Sequence, residues 1–457
     1  MQQEVKAFYN LWFVILGVYL IEFGFTIINS VMIAPFGAKY LAGVGIAGIC
    51  YSVILSFSNG FISILINIYA REEIISQQKA NLNTVYLIML ILIVISHSLG
   101  AAVLFKNVNH LMDLLYQPKE VIQIVQSNLS LLSFSYPVSL FLAALNIFLR
   151  VHNQANLVLR IFIIGTIINI LSNFLLMYYQ PLITLFKPHI AVAISTIISE
   201  IVMLFCNLLF CYRLQKPCFL VYKIQNSLSE LTKKFLFITN KALPVGLRNI
   251  SDWLSSLLLV FFINSLGVHV GAANQIADVV SSLMYRAPQA ACVTIGIIYS
   301  KFLGTQSNKT HNSQLFLKKL TNLTILAAIP SFIIVLVFFV IRAFIPNFFG
   351  FNNQHIVHVT AISILTVHFI FFLAYFLQHV FNAFLDAFLD TKIPAIATFI
   401  VYYIFMIPVA FYMTFYYQTT ATTIWIIEGI GITILAILNL FRVINALKLP
   451  VVKLTIT

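Results

Sequence analysis

Residues 361–377 of this 457-residue chain read AISILTVHFIFFLAYFL, a run without a single aspartate, glutamate, lysine or arginine. Similar runs recur along the chain, among them LWFVILGVYLI at 11–21 and FIIVLVFFVI at 332–341. A helix of about 20 apolar residues is long enough to cross the hydrocarbon core of a bilayer. The runs therefore predict an integral, polytopic, all-α membrane protein.

The composition of the whole chain excludes a soluble globular protein. Hydrophobic residues make up 61% of the sequence, charged residues only 9%, and the mean hydropathy is +0.99, whereas a soluble domain carries about 25% charged residues. The net charge of +13 does not indicate nucleic-acid binding, because the basic residues lie in short segments between the apolar runs. No nucleophile–base or phosphate-binding motif indicates an enzyme, and the five cysteines show no metal or disulfide spacing.

The apolar runs predict twelve transmembrane helices in two lobes. Residues 1–212 form an N-terminal six-helix lobe and residues 242–457 a C-terminal six-helix lobe. The segment between them, residues 213–241, is predicted to be a cytoplasmic linker in which NSLSELTKKFLF forms a short amphipathic helix on the membrane surface. The predicted spans are about 9–33, 43–69, 84–106, 121–148, 156–178, 189–212, 242–265, 271–300, 319–345, 356–384, 393–415 and 421–445.

Lysine and arginine residues predict the orientation in the membrane. Eighteen of the 26 lie on the side that holds both termini, five lie on the opposite side, and three lie within spans. Because cytoplasmic segments carry the excess of basic residues, both termini are predicted to be cytoplasmic. We expect a multi-pass protein of a bacterial cytoplasmic (inner) membrane that works as a monomer.

The two lobes resemble each other in sequence. PFGAKYLAGVGIAG after span one parallels SLGVHVGAANQIAD after span seven, and Gly37 corresponds to Gly267 at an offset of 230. Further along, Arg150 corresponds to Asp386 at an offset of 236. An even number of helices per lobe gives both lobes the same orientation, so they are predicted to be parallel repeats. Transporters with such repeats bind substrate near the middle of the membrane, at the interface between the repeats.

At these segments the sequence resembles the multidrug and toxic compound extrusion (MATE) family. The resemblance runs from about residue 10 to residue 445, and three of its pieces are VMIAPFGAKYLAGVGIAG at 31–48, LPVGLRNISDW at 243–253 and LDTKIPAIATFIVYYIFMIP at 389–408. It implies a V-shaped, two-lobed antiporter that exports small organic molecules, often organic cations. A gradient of H⁺ or Na⁺ would drive the exchange, and no cofactor is expected.

The resemblance points to candidate ion-coupling residues in the first lobe. The family commonly has an acidic residue near the outer part of helix one, where this chain has Asn29. Glu22 lies seven residues earlier, about two turns away on the same helix face, and is the carboxylate available there to take up a proton. The resemblance would bring Asn169 and Asn173 of helix five to the same cavity. The alternative for Glu22 is a permanently protonated side chain that hydrogen-bonds a neighbouring helix.

A second coupling candidate lies in helix seven. Asp252 matches the acidic residue that NorM-type members of the family carry eight residues after a proline, here Pro244. The helix-ten acid of those members falls on Tyr375, which departs from the pattern. Arg248 lies one turn before Asp252, and this spacing predicts an i, i+4 ion pair. Protonation or cation binding at Asp252 would then release Arg248; the alternative is a buried pair with no role in transport.

Polar residues inside the spans of the second lobe are the candidates for a substrate cavity, and they are Arg248, Asn249, Asp278, Tyr285, Arg286 and Tyr375. Three arginines within spans are unusual for an exporter of organic cations. They leave open an anionic substrate such as a siderophore. The sequence is also compatible with a flippase for a lipid-linked precursor and with a non-transporting regulatory descendant.

Overall fold

The computed structural model describes residues 2–36, 38–75, 79–114, 119–152, 154–179, 186–213, 228–306, 313–348, 355–417 and 419–448. Within these ranges some side chains, that of Glu22 among them, lie outside the described residues. All the described segments are helices or short connections between helices, and they contain no strand.

Twelve long helices follow one another along the described chain. They are α1 Gln2–Ile33, α2 Ala38–Ile75, α3 Lys79–Lys106, α4 Lys119–Val151, α5 Ala155–Tyr178, α6 Pro188–Arg213, α7 Leu228–Ser265, α8 Val268–Gln306, α9 Ser313–Ile341, α10 His355–Ala387, α11 Lys392–Phe415 and α12 Ala421–Ala446. Three short helical segments follow α1, α3 and α9, and they are Ala34–Phe36, Val108–Leu114 and Ile345–Phe348.

Each long helix covers one predicted span, and this confirms the predicted fold class. Within the described ranges, ten helices are long and apolar enough to cross a membrane. The other two are α1, which contains the shorter apolar stretch Val5–Ile21, and α8, which is 39 residues long. The lipid-facing character is clearest in α9, where Ile333 is 58% and Val340 66% exposed. Such side chains are compatible with hydrocarbon, which replaces water around the spans.

The segment NSLSELTKKFLF does not form a separate short helix, so that prediction is wrong. From Leu228 onward it is the beginning of α7, which continues without a break to Ser265. The physical reason is that no glycine or proline interrupts the chain between Leu228 and Pro244, while Glu, Lys and Leu residues favour helix. Pro244 lies inside the helix and does not end it.

The turn between α7 and α8 depends on Gly267. Its φ is +127°, a backbone angle that L side chains rarely adopt. A glycine at this position therefore allows α8 to begin at Val268, directly after the end of α7. The corresponding Gly37 in the first lobe lies outside the described residues.

The chain divides by its internal contacts into two compact units. The N-terminal unit is Gly17–Ala242, and the C-terminal unit consists of Met1–Leu16 together with Leu243–Thr457. The division falls inside two helices. The first part of α1 belongs to the C-terminal unit, and the first part of α7 belongs to the N-terminal unit. At the start of α1, Trp12 Nε1 donates to the carbonyl of Ala287 at 3.2 Å. At the start of α7, Lys234 Nζ lies 2.6 Å from Glu72 Oε2.

The internal repeat is visible in the packing of each unit. A three-ring cluster joins the end of α2 to the end of α4, and an equivalent cluster joins α8 to α10 and the turn after it. In each cluster a tyrosine ring contacts two other aromatic rings. The distances from the tyrosine centroid to the other two centroids are 5.4 and 6.0 Å in the N-terminal unit and 4.6 and 5.9 Å in the C-terminal unit. The equivalent residues, at offsets of 230 and 236, are Tyr69, Phe148 and His152 in one unit and Tyr299, Phe384 and Phe388 in the other.

A pair of buried asparagines also recurs in both units. Asn207 Nδ2 of α6 donates to Asn146 Oδ1 of α4 at 3.2 Å. Asn439 Nδ2 of α12 donates to Asn382 Oδ1 of α10 at 3.0 Å. Each pair ties the last helix of a unit to its fourth, because a buried amide is costly unless it is hydrogen-bonded.

Candidate functional site

Three asparagines come together in the N-terminal unit. Asn173 Nδ2 donates to Asn29 Oδ1 at 2.8 Å and to Asn169 Oδ1 at 3.0 Å. Asn169 and Asn173 are fully buried and lie one turn apart on α5, so Asn173 joins Asn169 to Asn29 of α1. That these residues line a shared cavity stays a prediction. Amide side chains do not titrate, and the Glu22 side chain lies outside the described residues.

In the C-terminal unit, Arg248 forms an ion pair with Asp386 and not with Asp252. Its Nη1 and Nη2 atoms lie 3.1 and 2.7 Å from the two carboxylate oxygens of Asp386. Both residues are buried, with 5% and 7% exposure. The predicted Arg248–Asp252 pair is wrong because the guanidinium can bind both oxygens of Asp386, a planar geometry that one i, i+4 contact does not offer.

Asp252 lies next to this ion pair without being part of it. Its carboxyl is close enough to Arg248 and to the Tyr402 hydroxyl of α11 to interact with both. Its Oδ1 atom is buried and has no hydrogen-bond partner among the described residues. One oxygen of this acid is therefore available to a proton, a cation or water.

One further carboxyl group, that of Glu428 of α12, lies within electrostatic range of Asp252 of α7 and also of Asp278 of α8. We call Asp252, Asp278 and Glu428 the carboxyl cluster. Asp252 and Asp278 were candidates from the sequence and Glu428 was not, because an acid near the outer end of a span can reach water and carries no signal of a buried site.

Aromatic rings border the carboxyl cluster. Tyr285 of α8 stacks on Tyr375 of α10 with 4.0 Å between ring centroids. The Tyr285 hydroxyl is 2.8 Å from His368 Nδ1, and both Glu428 and Asp278 act on that hydroxyl electrostatically. The tyrosine that replaces the helix-ten acid of the family thus lies face to face with another predicted cavity residue.

Two further polar side chains of α8 lie next to these rings, toward the end of the helix that is predicted to be cytoplasmic. Arg286 Nη1 donates to Gln289 Oε1 at 3.0 Å, and Gln289 Nε2 is 3.5 Å from the Tyr375 hydroxyl. Tyr285, Arg286 and Tyr375 therefore lie close together, and their place in a substrate cavity stays a prediction. Asn249 follows Arg248 on α7 and is partly buried.

Two histidines of α10 were not identified from the sequence. The His368 ring lies 4.5 Å from the Trp425 ring, and Trp425 Nε1 donates to Asn274 Oδ1 at 2.8 Å. The Tyr375 and His379 rings are 4.2 Å apart. The Nε2 atoms of both histidines are buried without a hydrogen-bond partner in the described part of the chain. Single histidines in an apolar run give no recognisable spacing, so the sequence carried no signal for them.

Comparison with known protein families identifies the family to which this chain belongs. Residues 15–175 and 244–412 match the model of the MatE family, well over half of the chain. The chain belongs to the MatE family. No curated protein sequence matches it significantly, which agrees with a divergent member.

Solved structures of MATE transporters share the fold along nearly the whole chain. The eukaryotic MATE transporter AtDTX14 superposes with a TM-score of 0.81 at 17% identity, over 97% of this chain and 96% of that one. A mutant of the Vibrio cholerae MATE transporter VcmN gives a TM-score of 0.80 at 16% identity, over 98% of both chains. A MOP superfamily transporter from Pyrococcus furiosus, for which a binding pocket of reverse polarity and a different function are described, gives 0.76 at 18% identity over 97% of both chains.

Family membership establishes the broad activity. The protein is a MATE-family transporter, a membrane exporter with the twelve-helix fold, and not an enzyme.

Proposed function

We propose that this MATE-family protein exports small organic molecules in exchange for protons, and that the carboxyl cluster of its C-terminal unit binds the proton. Alternation of access between the two units would carry the substrate across the membrane, as in transporters with parallel repeats. The main support is the juxtaposition of Asp252, Asp278 and Glu428 inside one unit.

The charge balance around the cluster favours proton binding. An ionised carboxylate inside a membrane costs about 2.5–3.5 kcal/mol on insertion scales. The nearest cation, Arg248, already donates two hydrogen bonds to Asp386. Within the described part of the chain, no close ion pair therefore compensates the negative charges of the cluster, and proton uptake is the simplest way to neutralise them.

A proton fits this arrangement better than a sodium ion. A hard cation needs several oxygen ligands at short distance, and no three acidic, histidine or cysteine side chains of the described residues lie close enough together to hold a metal ion. A single free carboxylate oxygen, as on Asp252, is enough for a proton.

Proton binding would drive the cycle by changing the charge of the cluster. A ligand shifts a conformational equilibrium only if it binds one state better than the other. Protonation of Glu428 removes its repulsion with Asp252 and Asp278, so it would favour the state in which these acids lie closest together. The stacked Tyr285 and Tyr375 rings at the edge of the cluster would offer a flat surface to a small aromatic substrate.

The proposal is tested with purified protein in liposomes. A fluorescent organic cation is the first substrate to try and an aromatic anion the second, each with an imposed pH gradient or an imposed sodium gradient. We expect uptake driven by the pH gradient alone. Asp252→Asn and Glu428→Gln should each reduce this uptake at least tenfold, since neither variant side chain can ionise.

The matched control is Asp390→Asn, which also removes a carboxylate from the C-terminal unit. Asp390 pairs with Arg442 at 2.5 Å and lies outside the cluster, so uptake should stay close to that of the unmodified protein. If Glu22→Gln abolishes uptake while Asp252→Asn transports normally, coupling belongs to the N-terminal unit and the proposal is wrong. Uptake that follows only the sodium gradient contradicts the choice of ion.

A further inference from the structure

A carboxyl group in the N-terminal unit lies at the end of a chain of hydroxyl groups. Ser139 Oγ of α4 donates to Glu200 Oε2 of α6 at 2.7 Å. The hydroxyl of Tyr51 on α2 is 2.7 Å from Ser139 Oγ and 3.3 Å from Ser135 Oγ. Three helices of the unit thus contribute to one hydrogen-bonded network around a single acid.

The acid has no cationic partner in this network. No arginine or lysine acts on its carboxyl among the described side chains, and Arg160, the arginine of the adjacent α5, is exposed. Among the described residues the titratable group that acts on it is Tyr51 of α2, whose ring meets that of Tyr136 of α4 edge to face at 5.7 Å. Glu200 therefore differs from Asp386, which is neutralised by an arginine.

A second titratable group lies on the other side of the Tyr51–Tyr136 contact. His97 Nδ1 of α3 is 2.8 Å from Ser58 Oγ, which is 2.7 Å from the Tyr136 hydroxyl. The His97 ring is enclosed by Phe57 and Phe61 with centroids at 5.3 and 4.5 Å. Hydrogen bonds thus link α3, α2 and α4 on this side, and the edge-to-face contact of Tyr136 with Tyr51 places this group next to the Glu200 network.

We propose that Glu200 is a second proton-binding site of the transporter, located in the N-terminal unit and distinct from the Asn29–Asn169–Asn173 contact. Hydroxyl groups suit a carboxyl that alternates between two charge states, because each can rotate to donate to the ionised form or accept from the protonated form. An arginine partner would stabilise only the ionised form. The claim that this site takes part in transport rests on the proposed function. The claim that Glu200 binds a proton does not depend on it.

The site is tested directly by infrared spectroscopy of the purified protein across a pH series. A protonated carboxyl has a C=O stretching band that an ionised one lacks, and the difference between the unmodified protein and Glu200→Gln isolates the Glu200 band. We expect this band at acidic pH and its reversible loss at alkaline pH. A band that persists over the whole range in which the protein is folded would mean a permanently protonated, structural glutamate. Its absence throughout would mean a permanent carboxylate; either result overturns the proposal.

Two serine variants test the site without changing Glu200, so they give a result even if Glu200→Gln does not fold. Ser139→Ala removes the hydrogen bond to the carboxyl, so the frequency of the Glu200 band should rise. Ser130→Ala changes a serine of the same helix that donates only to the Gln126 carbonyl, and it should leave the band in place. An unchanged band in Ser139→Ala would contradict the network.

Transport measurements then separate this site from the carboxyl cluster. If the Glu200 band titrates and uptake does not depend on the pH gradient, Glu200 binds a proton but the proposed coupling of transport to protons is wrong. If uptake follows the pH gradient and the band does not titrate, the coupling stands and the Glu200 site falls.

Discussion

Removal of Arg248 should destabilise the protein much more than removal of its partner Asp386. Arg248→Met leaves the Asp386 carboxylate buried without a cation and also takes away the cation nearest Asp252. Removing one partner of a buried pair typically costs about 3–5 kcal/mol. In Asp386→Asn, by contrast, the guanidinium can turn to Asp252, four residues along the same helix. The loss is then nearer the value of a hydrogen bond to a charged group, about 1.5–3 kcal/mol.

The two changes together should be less harmful than their sum. Arg248→Met/Asp386→Asn replaces the ion pair with neutral side chains of similar volume, and such replacements are often nearly neutral. The measurement is the free energy of unfolding in mixed micelles, with a denaturing detergent as the variable, for the two single variants and the double variant. We expect a coupling energy of about 2 kcal/mol or more, at the upper end of what contacting residues show.

The Arg442–Asp390 pair is the internal comparison, because it joins α12 to the turn after α10 and is more exposed. Its side chains are 27% and 18% exposed, against 5% and 10% for Arg248 and Asp386. A pair that is partly open to solvent should show a coupling of about 1 kcal/mol or less. Additive losses for Arg248 and Asp386, or a greater loss for Asp386→Asn than for Arg248→Met, would refute this account of the buried pair.

Two other predictions follow from packing and from topology. Gly429→Ala would place a Cβ less than 3.0 Å from the Phe371 ring, a rigid group that must shift as a whole, so we expect a loss of about 1–3 kcal/mol in unfolding free energy. Gly165→Ala meets the flexible Met203 side chain equally closely and should cost less; equal losses would contradict this contrast. Five topology reporters test the orientation, and all except the one at Lys187 should be cytoplasmic: Met1, Lys187, Lys234, Lys309 and Thr457. A reporter at Lys187 on the same side as one at Lys234 would refute the predicted orientation.

Hydrophobicity and charge were sufficient to predict the fold. Each predicted span lies on a long helix, because a membrane leaves the backbone few alternatives to helix. The ends of helices were harder to predict. The start of α7 at Leu228 extends well beyond the apolar part of that helix, and a polar helical extension outside the bilayer has no hydrophobic signal of its own.

The partners of the charged residues could not be read from local spacing. An i, i+4 interval indicated Asp252 as the partner of Arg248, while the structure pairs Arg248 with Asp386, 138 residues away. A clue was present in the internal repeat, where Asp386 corresponds to Arg150 and so interrupts the pattern of the first lobe. Contacts between α7 and α10 depend on helix rotation and tilt, which are set by packing and not by the sequence of either helix alone.

The two units differ in the polar side chains that they bury, and this difference affects where the coupling ion can bind. At the position where the family commonly has an acid, the N-terminal unit has the neutral Asn29, bound to Asn173, whose second acceptor is Asn169. Neutral amides that bind one another need no ion to balance them. The C-terminal unit instead holds Glu428 within electrostatic range of two other acids, Asp252 and Asp278, and the arginine next to Asp252 is already bound to Asp386. A carboxyl group can exchange a proton, whereas an amide side chain cannot, so the loss of the acid at Asn29 is compatible with coupling that operates through the other unit.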